Sequence, residues 1–407
     1  MFLKKSKLLG NKTIEISGSK SISNRLLILH QLFENIIIEN ISNSQDTQLL
    51  KKALESDAPV IDIHHAGTAM RFLTSYFAIQ EGKTVILTGS ERMKQRPIKP
   101  LVDALNELGA DITYTENEGF PPLKIIGKRL TKNTVHIPAD ISSQFISSLM
   151  LIGPKLENGL EIHLEGKVTS RPYLDMTLKI LRNLGIPNHG EGNLIQISPN
   201  LETEKTSQLI KFVVESDWSS ASYFYSLAAI GRQCINLKYF RPYSLQGDSV
   251  IKDLYWSFFG VNTISEGSDS RISLLPEQQF SYPQKIIVNM NDCPDIAQTL
   301  CVTATALNIH FEITGLSTLK VKETDRLQAL KNELFKIGCI SDITEDSIFS
   351  VKFFEPNENI IIETYNDHRM AMSFAPFCLV KELNIESTDV VEKSYPDFWR
   401  DFAELIE

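Results

Sequence analysis

Polar clusters followed by apolar residues at helical spacing recur along this chain. The stretch "HAGTAMRFLTSYF" sets Gly67 and Thr68 ahead of an apolar run, with Arg71 one turn in. "ADISSQFISSLML" does the same with Ser142, Ser143 and Gln144, and "ESDWSSASYFYSLAA" with Asp217 and Ser219. "NDCPDIAQTLCVTA" carries Asp292 and Asp295, and "YNDHRMAMSFAPF" carries Asp367, His368 and Arg369. Each cluster predicts a capped helix start. From Gly67 to Ser142, Asp217, Asp292 and Asp367 every step is 75 residues, whereas Lys20 to Gly67 spans 47.

A second helical pattern follows within each period and stops at glycine. "PLVDALNELG" ends at Gly109, "LDMTLKILRNLG" at Gly185, "VIKDLYWSFFG" at Gly260 and "TDRLQALKNELFKIG" at Gly338. Glycine is the usual residue just past a helix, because the chain turns there through a left-handed conformation. Short alternating runs such as "DITYTE" and "LKIIG" then predict strands. The unit is therefore β-α-β-α-β-β, used about six times. The first unit passes from "DTQLLKKALES" almost directly to "VIDIHHAGT", so a β-hairpin is missing from it. The fold class expected is α/β, with two domains of three units each in pseudo-threefold arrangement, the first unit shortened. If equivalent helices are arranged alike, three positive helix ends converge per domain, six in all, which predicts a small, highly anionic ligand.

Composition narrows the possibilities. The chain has 407 residues, 42% hydrophobic and 22% charged, with a formal net charge of −9. That balance argues against nucleic acid or an anionic membrane as partner. Five cysteines without a CxxC pair predict reduced, buried thiols in a cytoplasmic protein. No apolar run reaches membrane-spanning length, and the N-terminus turns polar too soon for a signal peptide.

The stretch "GSKSISNR", Gly18 to Arg25, loads a strand-to-helix junction with cations and hydroxyls. Ser19, Ser21 or Ser23 could cap a helix. Ser21 and Arg25 are also one turn apart and could share a face toward an anion. Other candidates have bland readings too. Asp295 could be a helix cap, Glu323 and Arg326 a surface i,i+3 pair, and Arg92 and Lys94 a solvated loop. Arg71 could pack on its own helix end, and His64–His65 is no metal pair because adjacent residues point apart.

Taken in order, "GSKSISNR", "AGTAMR", "LTGSERMKQRPI", "ISSQF", "TSRPY", "VKETDR" and "YNDHRMAM" resemble the motifs of the 5-enolpyruvylshikimate-3-phosphate synthase family. The resemblance runs from Lys20 to Lys393. It implies the two-domain inside-out α/β barrel, with a discontinuous first domain of residues 1–18 plus 215–407, a second domain of 19–214, and an active site in the cleft between them. It implies transfer of the enolpyruvyl group of phosphoenolpyruvate to the 5-hydroxyl of shikimate-3-phosphate through a tetrahedral intermediate, with release of phosphate. No metal or organic cofactor is implied. The partners are the two small-molecule substrates, with no nucleic acid and no membrane, for a monomeric, cytoplasmic enzyme inhibited by glyphosate.

By the same resemblance, Lys20, Ser21, Arg25, Ser142, Ser143, Gln144, Ser170, Tyr173, Asp295, Thr318 and Lys322 hold shikimate-3-phosphate. Lys20, Gly67, Arg96, Gln144, Arg326, Arg369 and Lys393 hold phosphoenolpyruvate. Asp295, Glu323, Lys322 and Lys20 carry the proton transfers and charge stabilisation. Three positions depart from the family's pattern: His65 and Thr318, where asparagine is usual, and Phe72, where proline is common. The rival readings are the sister transferase acting on UDP-N-acetylglucosamine and a non-catalytic anion-binding relative. The first usually needs a cysteine near Ser90 to Gln95, and no cysteine precedes Cys234.

Overall fold

A computed structural model describes residues 1–33, 35–200, 209–266 and 270–407. The chain divides into two compact units, one of Met1–Gly18 with Glu215–Glu407, the other of Ser19–Val214.

Among the described residues the Ser19–Val214 unit holds six α-helices: α1 (Lys20–Leu32), α2 (Gln45–Leu54), α3 (Gly67–Ala78), α4 (Lys99–Glu107), α5 (Ser143–Ile152) and α6 (Arg171–Asn183). The other unit holds α7 (Trp218–Gly231), α8 (Ile251–Phe259), α9 (Ala297–Ala306), α10 (Arg326–Lys336), α11 (His368–Phe374) and α12 (Phe398–Ala403). In the first, α1, α3 and α5 pack against one another, and in the second so do α7, α9 and α11. These inner helices are buried along most of their length, and every residue of α3 and of α11 is buried.

Four-stranded sheets flank them on one plan. Val60–Asp62 runs parallel to Thr84–Thr88, which pairs antiparallel with Leu123–Ile126, and that strand pairs with Asp111–Tyr114. The sheet starting at Thr134–Pro138 repeats this order, as does the one starting at Lys285–Asn289. Strands alternate buried and exposed positions, as along Leu160–Glu165, so one face covers the helices.

The remaining sheets show how the crossings are made. Lys12–Glu15 supplies the first strand beside Ile235–Lys238, before the chain enters the other unit. Ile210–Val213 supplies the strand beside Ile36–Glu39 on the way out. That last sheet has two strands, so the hairpin missing from the first period is missing from the fold. The final period is shortened as well: Ile361–Ile362 and Leu383–Ile385 are completed by Phe2–Leu3. The chain beyond Ile385 is used instead for a 3-10 turn at Thr388–Lys393 and for α12.

Local signals explain the boundaries. Ser142, Asp217 and Asp367 each accept a bond from a first-turn backbone N–H of α5, α7 and α11. The four glycines after the second helices have φ of +103° (Gly109), +77° (Gly185), +64° (Gly260) and +94° (Gly338), a conformation that a Cβ disfavours. Two expectations need correction. Ser19 occupies the cap position of α1 but makes no capping bond. Asp295 is not the cap of α9; it lies in a 3-10 turn, Pro294–Ile296, ahead of that helix. All five cysteines are free; four are buried and Cys234 is half-buried. Among the described residues no helix is long and apolar enough to cross a membrane.

Candidate active site

In the Ser19–Val214 unit the candidate residues gather at the starts of helices. Lys20 opens α1 and donates to Asp46 Oδ2 at 3.2 Å. Arg25, one turn on, is buried against neutral partners. It donates from Nε to Thr177 Oγ1 (2.7 Å), from Nη1 to the Ser21 carbonyl (2.8 Å) and from Nη2 to Ser147 Oγ (3.0 Å). The Tyr173 carbonyl adds a longer contact at 3.4 Å, and the guanidinium lies 5.4 Å from the centre of the Phe72 ring. Burial pulls this arginine down to about 10. Phe72 thus gives Arg25 an aromatic face that proline lacks.

Gly67 opens α3. A Cβ there would stand 2.5 Å from Arg96 Nη1, so glycine is what lets the guanidinium lie against the helix start. Arg96 is itself 7% exposed, and its buried Nε lacks a hydrogen-bond partner. Among the described residues its guanidinium pairs with no carboxylate, which leaves a buried cation ready for an anion. Ser142 and Ser143 begin α5, and Gln144 Nε2 donates to Thr68 Oγ1 at 3.2 Å, joining the starts of α3 and α5. Ser170 stands before α6 with φ +54°, and Tyr173 lies half-buried in its first turn. Arg71 behaves as its bland reading expects: it donates to the Gly67 carbonyl at 3.0 Å and to the Pro97 carbonyl at 3.3 Å.

The other unit carries a different arrangement. Asp295 is ringed by cations: Arg369 Nη2 at 3.1 Å on Oδ2, with Arg326 Nη1 at 3.1 Å and Lys322 Nζ at 3.4 Å on Oδ1. Arg369 also donates to the Asp295 carbonyl at 2.8 Å. Arg326, 2% exposed, forks onto Asp367 at 2.6 and 3.3 Å and reaches Glu323 Oε2 at 2.7 Å. The Glu323–Arg326 pair is therefore part of a buried network and not a surface pair.

The charges decide the protonation states. Burial by itself raises the Asp295 carboxyl. Arg369, then Lys322 and Arg326, outweigh that and hold it well below the usual carboxylate range. Lys322 is lowered, because burial outweighs the attraction of Asp295. For Arg326 burial is overridden by Asp367, Glu323 and Asp295, which hold it above its ordinary value. Thr318 lies in the 3-10 turn Ser317–Val321 with its hydroxyl buried and without a partner among the described residues. Lys393 donates to the Asn366 carbonyl at 2.6 Å, beside Asp367 in sequence.

Three groups here escaped the motif reading. Asp46 had no signal beyond a helix start in "SQDTQ". Asp367 was visible only as a cap, yet it also anchors Arg326. Asp248, 3% exposed, bonds Ser219 and is raised to about 6 by burial first and by Asp295 second. Among the described residues no group of three or more His, Cys, Asp or Glu is placed to hold a metal ion.

Repeated α/β units with arginines and lysines at helix starts in one and a cation-ringed carboxylate in the other carry the chemical types suited to small anions and acid–base work. Sequence comparison makes this specific. The profile of the family described as EPSP synthase (3-phosphoshikimate 1-carboxyvinyltransferase) matches residues 50–402, and the chain belongs to that family. The 3-phosphoshikimate 1-carboxyvinyltransferase of Bacteroides fragilis (strain YCH46) is 44% identical over 395 residues, covering 96% of this chain and 94% of the relative. An EPSP synthase structure from Acinetobacter baumannii superposes with a TM-score of 0.71 at 23% identity, covering 99% of this chain and 98% of the other. The enolpyruvyl transferase NikO from Streptomyces tendae superposes at 0.70 with 12% identity, covering 100% and 97%. The fold is thus the two-domain α/β fold of the enolpyruvyl transferases.

Proposed function

We infer that the chain transfers the enolpyruvyl group of phosphoenolpyruvate to the 5-hydroxyl of shikimate-3-phosphate and releases phosphate. The observation that carries this reading is the 44% identity, over nearly the full length, to the Bacteroides fragilis 3-phosphoshikimate 1-carboxyvinyltransferase.

We assign Lys20, Ser21, Arg25, Ser142, Ser143, Gln144, Ser170, Tyr173, Thr318 and Lys322 to shikimate-3-phosphate. Lys20, Gly67, Arg96, Gln144, Arg326, Arg369 and Lys393 are assigned to phosphoenolpyruvate. What supports the assignment is position and charge. Helix starts offer free N–H groups to oxyanions, and Arg96 is a buried guanidinium that meets no carboxylate among the described residues. Asp295 is assigned as the base that takes the proton from the 5-hydroxyl. The hydroxyl oxygen then bonds to C2 of phosphoenolpyruvate, and Glu323 protonates the methylene carbon, giving the tetrahedral intermediate. Loss of a proton from that methyl carbon and departure of phosphate restore the double bond in the product.

The electrostatics give this assignment a trigger. With no anion bound, Asp295 is too strongly stabilised by Arg369, Arg326 and Lys322 to be a good base. A substrate carboxylate and phosphate that engage Arg369 and Arg326 draw charge away from Asp295, and its proton affinity rises toward what general-base catalysis needs. Lys322 then stays beside the developing alkoxide. We take the enzyme to work as a cytoplasmic monomer, which sedimentation of the active form checks. The function itself is tested by phosphate release. Release should require both substrates and persist with a chelator present; release with UDP-N-acetylglucosamine in place of shikimate-3-phosphate would overturn the reading.

A further inference from the structure

Asp46 lies in the first turn of α2, and its side chain is 8% exposed. Two side chains from neighbouring helix starts converge on it. Lys20 Nζ, at the start of α1, is 3.2 Å from Oδ2. His65 Nε2, two residues before α3, is 3.3 Å from Oδ1, close enough for an ion pair though not aligned as a hydrogen bond. The carboxylate is thus shared, one oxygen to each neighbour.

The turn that aims His65 is rigidly held. His64 takes a left-handed backbone conformation, φ +48°, and its N–H donates to Asp62 Oδ1 at 2.7 Å. The His64 carbonyl accepts from Ser90 N at 2.9 Å, and Ala66 N closes a turn onto the Ile63 carbonyl at 3.0 Å. Asp46 is fixed as well, because Ser44 caps its helix through Thr47 N. The imidazole is therefore held against a carboxylate whose other oxygen orients Lys20. A side chain that lies against one oxygen limits rotation of the carboxyl group, and that rotation decides where the Lys20 ammonium sits.

We propose that His65 is a positioning residue: acting through Asp46, it sets the place of the Lys20 ammonium in the substrate site. The proposal rests on the functional reading above, since Lys20 matters to turnover only if that reading holds. His65 itself needs no contact with either substrate.

The test is a double-mutant cycle with two readouts. Steady-state kinetics with phosphoenolpyruvate and shikimate-3-phosphate measure turnover. Competitive acylation with acetic anhydride, quantified by mass spectrometry, measures how freely Lys20 reacts. His65→Ala should lower kcat about tenfold, change the KM for shikimate-3-phosphate less than twofold, and raise the Lys20 acylation rate at least threefold. His65→Gln places an N–H donor at nearly the reach of Nε2 and should recover most of kcat and slow acylation again. In an Asp46→Asn background, His65→Ala should change neither readout by more than about twofold. The proposal is overturned if His65→Ala leaves Lys20 acylation unchanged. It is equally overturned if the histidine's loss costs the same factor with and without Asp46, or if alanine and glutamine behave alike. A wild type that releases no phosphate from this substrate pair would overturn the functional reading, while the acylation ratios would still decide the role of His65.

Discussion

The two units share one architecture and answer their buried arginines in different ways. Around Asp295 every arginine meets a carboxylate: Arg369 and Arg326 meet Asp295, and Arg326 also meets Asp367 and Glu323. In the Ser19–Val214 unit Arg25 is solvated by hydroxyls and carbonyls, and Arg96 has no acidic partner among the described residues. One repeat has thus been filled with a compensated ion network and another with cations held by neutral dipoles. On the proposed function, the first arrangement serves acid–base chemistry and the second the binding of an anion. Both units join inner helices through neutral hydroxyls: Ser222, Thr299 and Ser373 at 3.1 and 3.2 Å between α7, α9 and α11, and Ser75 with Ser148 at 2.5 Å between α3 and α5. In the Ser19–Val214 unit the buried hydroxyls of Ser147 and Thr177 also serve the Arg25 guanidinium.

The contrast breaks first at Asp295. Asp295→Ala should lower turnover by roughly 10²–10⁴-fold, the range for a positioned acid or base, with weaker effects on shikimate-3-phosphate binding measured by calorimetry. Near wild-type turnover would reduce Asp295 to a counter-ion.

Removing one arginine from each unit sharpens the comparison. Arg326→Met strands Asp367 and Glu323 without their buried partner and should cost roughly 3–5 kcal/mol in urea unfolding. Arg96→Met removes a cation that meets no carboxylate among the described residues. It should change stability by less than about 1 kcal/mol and raise the KM for phosphoenolpyruvate roughly 10–100-fold, as befits a lost charge-assisted bond. Equal destabilisation by the two changes would erase the distinction.

Asp248 probes the compensated unit by pH. Its carboxyl is raised from the usual 3.8 to about 6, by burial and then by Asp295. The native chain therefore binds this proton more tightly than the unfolded chain does. Stability falls as pH rises from about 4 to 6 and stays reduced above, by about 3 kcal/mol from this group alone. Asp248→Asn keeps the neutral form at every pH. Its stability relative to wild type should be about 2–3 kcal/mol greater at pH 7.5 than at pH 4.

The smallest effect expected is at Gly67. Alanine would bring a Cβ to 2.5 Å from Arg96 Nη1, and the far end of that side chain must move. The KM for phosphoenolpyruvate should rise about fivefold, less than for Arg96→Met, with stability unchanged. A crystal structure of the variant with Arg96 undisplaced would argue against this cause.

Elements governed by neighbours in sequence were legible without coordinates. The 75-residue spacing of polar clusters marked the starts of α3, α5, α7, α9 and α11 to within a few residues, because caps and apolar periodicity act inside one helical turn. The glycine stops were legible for the same reason. So was the missing first hairpin, since too few residues separate α2 from Val60 to form one. The shortened last period was not legible: its third strand is Phe2–Leu3, paired with Asn384 and Leu383 from the far end of the chain. Motifs also named the charged residues without saying how they pair. Arg369 meets Asp295 across 74 residues and Arg25 meets Thr177 across 152, and no local pattern encodes such a contact. Whether an arginine is answered by a carboxylate, by hydroxyls or by nothing depends on which helix starts the packing brings together. That geometry sets burial and the distances between charges, and with them the proton affinities. The sequence by itself therefore determined the periods, the helix starts and the chemical types. Only the tertiary structure decided that Asp295 is a compensated carboxylate, Arg96 an unanswered cation and Asp46 a shared one.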